Sequence, residues 1–157
     1  MSSPRPKTKS PPRIWRYDLS EVEDVYLRNG FTIAHTAYGE AVSVQDLDGL
    51  TRAIAKALAL YRKKWIGSDI RFVRHQLAMT QSALGELLHC TDQSIARWEK
   101  DQVEIPAIQD LALRALVLSK LDGRIDFWAL ASSPAKEAAD RRLTFTLASG
   151  QGGWCRK

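Results

Sequence analysis

The side chains best suited to specific recognition lie in one stretch, Thr80 to Glu99, which reads TQSALGELLHCTDQSIARWE. Gln93 and Arg97 are the two with the most informative chemistry. A glutamine amide can bind adenine through N6 and N7, and an arginine can bind guanine through O6 and N7. Each good bidentate pair of this kind discriminates between bases by about 1 to 3 kcal/mol. Side chains of these two types can therefore recognise base edges if a helix presents them to a groove.

Residues that could support catalysis or metal binding are not arranged for it. His35, His75 and His89 share no spacing with acids or cysteines that would make a metal site or a catalytic triad. The sequence has no glycine loop of the phosphate-binding type. Cys90 and Cys155 form neither a disulfide framework nor a zinc pattern. We expect a protein that is not an enzyme and that uses no cofactor.

The same stretch predicts two short helices joined by a tight turn near His89. Each helix carries one apolar stripe, made by Leu84 with Leu88 and by Ile95 with Trp98. Gly85 lacks a side chain, which lets a second helix cross closely, and Thr91 can cap the second helix through its hydroxyl. This order is a helix-turn-helix, whose second helix can enter a major groove.

The stretch and its flanks resemble the Cro/C1-type (XRE-like) DNA-binding domain of phage repressors and bacterial regulators. The resemblance covers roughly residues 66 to 121. It is carried by Gln81, Leu84, Gly85, Leu88, Ile95, Trp98 and Glu99, with Arg74 before them and Ile105-Pro106 after them. His89 departs from the family, which usually has glycine in the turn, and it requires a left-handed backbone there.

The resemblance implies which residues contact DNA. The residues that match the family's base-reading face are Asp92, Gln93, Ser94 and Arg97. Asp92 could accept from cytosine N4, or it could stabilise the helix N-terminus by roughly 0.3 to 1 kcal/mol, and we favour the second role. Phosphate contacts are expected from Gln81, Ser82 and Lys100, although ordinary surface polarity also explains Ser82 and Lys100.

Two positions match residues that pair with each other in the phage repressor family. The resemblance therefore assigns Arg74 and Glu99 to a structural ion pair, with a phosphate clamp as the alternative role for Arg74. Trp98 could serve as a stacking platform for a base, but its helical phase with Ile95 places it in the core.

The charge of the chain is unevenly distributed. The net charge is +5, and the excess lies in the first sixteen residues, at Arg5, Lys7, Lys9, Arg13 and Arg16. Residues 1–16 are predicted to be a disordered basic tail, which could lie along DNA or act only as a solubilising leader. From residue 66 to 106 acids outnumber bases, so specific binding there must come from placed contacts.

The rest of the chain predicts smaller elements around the 66–121 domain. Residues 17–65 read as a small α+β segment, with Asn29-Gly30 as a hairpin turn, a third short strand in EAVSV, and a helix capped by Asp46 or Asp48. Ser68 or Asp69 is expected to cap the next helix. Residues 122–157 form a C-terminal extension in which Leu143, Phe145 and Leu147 alternate like an edge strand, and this run could extend the N-terminal sheet. The predicted fold class is mainly α with a small antiparallel β element.

These patterns lead to two functional hypotheses. The first is a sequence-specific regulator of transcription, expected to be a repressor and a homodimer, which binds double-stranded DNA at an inverted repeat. The second follows from a resemblance of residues 25–58 to MqsA-like antitoxins, which bind a toxin and their own operator, although the zinc-binding cysteines of that family are absent. No apolar run approaches the roughly 18 to 20 residues of a membrane span, so we expect a cytoplasmic protein with no membrane partner.

Overall fold

The computed structural model describes residues 14–18, 20–132, 142–148 and 152–157. The helices of this part are α1 (Leu47–Tyr61), α2 (Gly67–Gln76), α3 (Gln81–Leu87), α4 (Asp92–Glu99), α5 (Ala107–Asp122) and α6 (Phe127–Ser132). The strands are β1 (Trp15–Arg16), β2 (Val25–Leu27), β3 (Phe31–Thr36), β4 (Gly39–Val44), β5 (Leu143–Leu147) and β6 (Trp154–Arg156). No helix among these residues is both long and apolar enough to cross a membrane.

The sheet content corrects the predicted fold class. A four-stranded mixed sheet has the order β1-β2-β5-β6, and β3 and β4 form a separate two-stranded antiparallel sheet. β2 pairs in parallel with β5, whereas β1–β2 and β5–β6 are antiparallel. The fold is therefore not a helical domain with a small antiparallel element. The prediction was wrong because the main sheet joins the two ends of the chain, and such distant pairing leaves no local signal in the sequence.

The Asn29-Gly30 pair does not close the predicted hairpin. Its two flanking strands, β2 and β3, belong to different sheets. The Asn29 side chain instead pairs with the backbone of Leu147: Nδ2 donates to the carbonyl at 2.9 Å, and the Leu147 N–H donates to Oδ1 at 2.7 Å. Gly30, at φ +73°, lies against the Trp154 ring. A Cβ on this residue would stand 2.6 Å from the nearest ring carbon. The turn therefore anchors β5 and β6 and directs the chain into the second sheet.

Strand β5 is an inner strand, between β2 and β6, and not the edge strand that its alternating pattern suggested. Its first three residues are buried, including Phe145, which is fully buried in the core. At the other end of the chain, Trp15 and Arg16 pair with Leu27 and Tyr26, so the last two residues of the predicted 1–16 tail form a strand. Residues 1–13, with four of the five basic residues of that tail, lie outside the described part of the chain.

The helices and the main sheet share one hydrophobic core. Its fully buried members come from both ends and the middle of the chain and include Leu27, Leu58, Leu84, Ile95, Leu113 and Phe145. Asp46 caps α1, where its side chain accepts from the Gly49 N–H at 3.1 Å. Side chains from all three predicted segments, 17–65, 66–121 and 122–157, pack into this common core. The boundaries between these segments stay a prediction.

Helix α2 begins without the predicted cap from Ser68 or Asp69. Its cap position is Ile66. The Ile66 N–H donates at 3.1 Å to the carboxylate of Asp69, which lies in the first turn of the helix. The Gly67 N–H donates to Asp101 Oδ1 at 2.6 Å. The start of α2 is thus held partly by a carboxylate that arrives from beyond α4, which no local pattern could indicate. Gly67 is required there, because a Cβ would stand 2.3 Å from the Glu99 carbonyl oxygen.

Candidate nucleic-acid interface

Local hydrogen bonds cap both helices of the α3–α4 segment at their N-termini. Thr80 Oγ1 accepts from the Ala83 N–H and Thr91 Oγ1 accepts from the Ser94 N–H, each at 3.1 Å. These hydroxyls satisfy backbone donors that a helix leaves free in its first turn. His89 adopts the left-handed backbone, at φ 54°, that the turn needs. The two helices therefore meet at an angle fixed by side chains within the segment itself.

Gly85 allows the close approach of the two helices. A Cβ on this residue would lie 2.8 Å from the carbonyl oxygen of Cys90 and 3.2 Å from the carbonyl carbon of Thr91, both of them backbone atoms. Cys90 is half-buried beside it, and burial raises the pKa of its thiol. Cys90 is thus a small, protonated packing residue, and Gly85 fixes the distance at which α4 leaves the turn.

The inward face of α4 is apolar. Ile95 is fully buried and Trp98 is 5% exposed, which confirms the prediction that Trp98 belongs to the core. A buried indole cannot stack on a base, so α4 must meet any ligand with its opposite face. Because side chains three or four apart share one face of a helix, the burial of these two residues fixes which side chains of α4 face solvent.

A buried carboxylate, Glu99, ends α4 and joins three elements. Arg74 on α2 donates to it from Nε at 2.6 Å and from Nη2 at 3.1 Å, and Gln81 on α3 donates from Nε2 at 2.9 Å. Arg71 adds a contact to the Glu99 carbonyl oxygen at 3.3 Å. The side chain of Glu99 is 3% exposed and that of Arg74 is 12% exposed. Arg74 thus holds α4 against α2 and is not available as a phosphate clamp.

The surroundings of Glu99 set its protonation. Burial by itself would raise the pKa of Glu99, but the hydrogen bonds from Arg74 and Gln81 and the charges of Arg74 and Arg71 outweigh it, so the pKa is lowered. The ordinary pKa of an unfolded glutamate is about 4.3. Between the lowered folded pKa and that value, the unfolded chain binds more protons than the folded chain, and its stability rises with pH.

This difference predicts a pH dependence of stability. The contribution of the Glu99 carboxylate is fully present above about pH 4.3 and is lost as the pH falls through the folded pKa. We expect urea denaturation at pH 7 to give wild type a clearly larger free energy of unfolding than Glu99→Gln. The difference between the two free energies should narrow below about pH 4.3. A gap of constant size down to pH 3 would contradict this role of the ionised carboxylate.

The outward face of α4 carries the predicted base-reading residues. Gln93 and Arg97 are exposed, and neither side chain makes a hydrogen bond or ion pair with another described residue. Asp92 Oδ1 accepts from the Gln93 N–H at 2.8 Å, and the Ser94 hydroxyl lies 3.0 Å from that of Thr91. The side chains of Asp92 and Ser94 therefore each contact a neighbouring residue at the start of α4. The position of the Asp92 carboxylate is consistent with its expected role at the helix N-terminus.

The three expected phosphate contacts are placed differently from one another. Ser82 is exposed in the first turn of α3, and Lys100 is exposed directly after α4. Gln81 is half-buried, and its amide nitrogen is bound to Glu99. No local pattern in the sequence indicates this bond. It leaves the Gln81 side chain oriented by the ion pair at the end of α4.

Most of the acidic residues between positions 66 and 106 have a bonding partner in the structure. Three of the six form ion pairs, Asp69 with Arg62, Glu99 with Arg74 and Glu104 with Lys64, and two accept from a backbone N–H, Asp92 from Gln93 and Asp101 from Gly67. Asp69 and Glu99 are buried. The excess of acids in this part of the sequence therefore does not translate into an equal excess of free negative charge around α4.

Sequence reasoning missed two buried arginines that fix the helices behind this interface. Arg114 on α5 donates to the carbonyl oxygens of Leu58 and Ala59 at the end of α1, at 3.2 and 3.0 Å, and to the Asp110 carboxylate at 2.8 and 3.1 Å. Arg62 pairs with Asp69 at 3.4 Å. The four-residue spacing of Asp110 and Arg114 was the one local signal available.

Side chains suited to metal binding are not gathered in the described part of the chain. Among the residues that the structure describes, no three of the histidines, cysteines, aspartates and glutamates come together as a metal site. Cys90 and Cys155 are free thiols. The exposed face of α4 is therefore the candidate site that both the sequence and the structure support with named residues.

No protein-family model, curated protein or solved structure matches the chain.

Proposed function

We propose that this protein is a sequence-specific DNA-binding regulator that reads the major groove with the exposed face of α4. The observation that carries the proposal is the two-sided character of α4. Ile95 and Trp98 anchor one side in the core, while Gln93 and Arg97 stand free on the other. An α-helix fits the major groove, and these two side-chain types have the donors and acceptors to distinguish adenine and guanine.

The surroundings of α4 support groove entry. The exposed Ser82 lies in the first turn of α3 and the exposed Lys100 directly follows α4, so both helices of the motif offer a group that can contact a phosphate. Contacts of this type go to phosphates and fix the orientation of a recognition helix without reading sequence. A homodimer would place two such helices on half-sites about 34 to 36 Å apart in an inverted repeat. Such a regulator would act in the cytoplasm, and repression follows most simply from blocking polymerase.

The test is binding to the DNA upstream of the protein's own gene, measured by fluorescence anisotropy as salt is raised. We expect Arg97→Ala to weaken binding to the preferred sequence by about 5- to 150-fold, the loss of one bidentate base contact, with little change for random DNA. Gln93→Ala should act in the same way at a different base pair. Arg28→Ala is the matched control, because Arg28 is an exposed arginine outside α4.

A second variant separates placed contacts from general charge. Removal of residues 1–13 leaves β1 intact and should weaken binding to all sequences and reduce its salt dependence. The proposal fails if all affinity resides in residues 1–13 and no sequence is preferred. In that case the chain would be a protein-binding scaffold, as in the antitoxin-like hypothesis, and co-purification of a second small protein would identify its partner.

A further inference from the structure

A mostly apolar groove lies between the ends of α1 and α5 and the short helix α6. It encloses about 420 Å³, and its apolar walls include Leu60, Tyr61, Leu118, Ile125 and Leu130. The guanidinium of Arg156 lies over the Tyr61 ring, 4.2 Å from its centroid. That wall is therefore held in place by the C-terminal strand, and the groove is formed before any ligand arrives.

Helix α6 presents two aromatic side chains beside this groove. It spans six residues, none of them buried, and Trp128 is 82% exposed and Phe127 54% exposed. Helices this short are not stable in water without tertiary contacts. The contacts within the described chain are the cap from Asp126, which accepts from the Ala129 N–H at 2.9 Å, and the packing of α6 on α5. The outer side of α6, with Trp128, is therefore exposed among the residues that the structure describes.

The charges at the rim of the groove are self-complementary. Asp122, Arg124 and Asp126 alternate in sign along the link from α5 to α6. Asp122 pairs with Lys56 at 2.8 Å, whereas Arg124 forms no ion pair with another described residue. A two-fold contact brings the same patch of two subunits together, so a patch that carries both signs of charge can pair with its own copy. The partner that fits such a rim is a second copy of this chain.

We propose that this protein dimerises through the groove, with Trp128 of each copy seated in the groove of the other and Arg124 facing Asp126 across the two-fold axis. Trp128 does not line the groove of its own chain, and among the described residues its exposed ring lies next to the open groove, beside the lining residue Ala129. The two-fold arrangement covers both at once. The choice of a second copy rests in part on the proposed function, which calls for two recognition helices, but the contact itself involves no DNA.

The test is the mass of the full chain by sedimentation equilibrium without DNA. We expect wild type to have twice the 17.6 kDa of one chain, and Trp128→Ser to raise the dimer dissociation constant by about 30-fold or more, as for a buried aromatic anchor. Tyr38→Ser is the matched control, because Tyr38 is also fully exposed but lies in the turn between β3 and β4. It should leave the mass unchanged.

A charge reversal tests the rim separately. Arg124→Glu should weaken the dimer at low salt and recover partly as salt is raised, whereas Arg28→Glu should not change it. Thermal unfolding of each variant checks that the fold is retained, which the exposure of Trp128 leads us to expect. A monomeric wild type, including one whose groove binds a different protein, or a Trp128→Ser variant that stays dimeric, overturns the proposal.

The outcomes for DNA and for the dimer are independent. Dimerisation through Trp128 without any preferred DNA sequence would support the groove contact and refute the proposed function. Sequence-selective binding by a protein that stays monomeric would support the function and refute the groove contact.

Discussion

Glu99→Ala is expected to lower the free energy of unfolding by about 3 to 5 kcal/mol, the usual loss when one partner of a buried ion pair is removed. The substitution leaves the Arg74 guanidinium, 12% exposed, without its carboxylate, and it removes the acceptor of Gln81 Nε2. Arg74 keeps one bond, from Nη1 to the Met79 carbonyl oxygen at 3.0 Å, which does not neutralise its charge. For a chain of this length the loss corresponds to a fall in Tm of about 6 to 20 °C.

Glu104→Ala is the matched control for this experiment. Glu104 also forms an ion pair, with Lys64, but its side chain is 76% exposed. Exposed pairs contribute about 0 to 1 kcal/mol, so the control should be nearly as stable as wild type. The double variant Arg74→Met with Glu99→Met should lose less than the two single variants added together, because neither charge is then buried alone. Equal losses for Glu99→Ala and Glu104→Ala would show that burial of the pair has no special weight.

Arg114→Ala is expected to cost about 2 to 5 kcal/mol and to loosen the contact between α1 and α5. Arg114 is 6% exposed, and its guanidinium joins the carbonyl oxygens at the end of α1 to the Asp110 carboxylate. It also lies over the Trp65 ring, with its central carbon 4.8 Å from the centroid. Alanine removes the charge from these carbonyls and leaves a cavity against the indole. Urea denaturation, followed by tryptophan fluorescence and by circular dichroism, measures the loss.

Two further variants show what the loss depends on. Arg114→Lys keeps the charge but cannot bind a carboxylate with two parallel bonds and two carbonyls at once, so its loss should be intermediate. Arg52→Ala also removes a bond between α1 and the end of α5, from Nη2 to the Leu121 carbonyl oxygen at 3.3 Å, but at an exposed site, and it should cost less than about 1 kcal/mol. An Arg114→Ala variant as stable as Arg52→Ala would contradict the bridging role.

The exposed face of α4 could be inferred from the sequence because its causes are local. The spacing of Ile95 and Trp98 determines which side of the helix is buried, and Thr91 fixes where the helix starts. The binding partner of Gln81 could not be inferred in this way. Its amide meets Glu99 across eighteen residues of sequence, and only the crossing angle of α3 and α4 brings the two side chains within 2.9 Å. DNA binding itself stays a proposal until the Arg97 experiment is done.

The count of charges was misleading for a related reason. From residue 66 to 106 the sequence has more acids than bases, which predicts that this part of the chain does not attract DNA by net charge alone. In the structure Asp69 and Glu99 are buried against arginines, and Asp101 holds the start of α2. A sequence gives the number of charges, but their effect on a ligand depends on which of them are neutralised by packing, and that is a tertiary property.

The sequence by itself determined the helices α1 to α4, the caps of α1 and α4 and the two faces of α4, because helical periodicity and capping act between residues at most four apart. The tertiary structure alone decided the sheets. Asn29 was read as a hairpin turn, but its side chain pairs with Leu147, 118 residues away, and β5 enters the sheet beside β2 as an inner strand. A strand's own residues specify which face is buried but not which distant strand it joins, since that choice depends on the whole core closing around it.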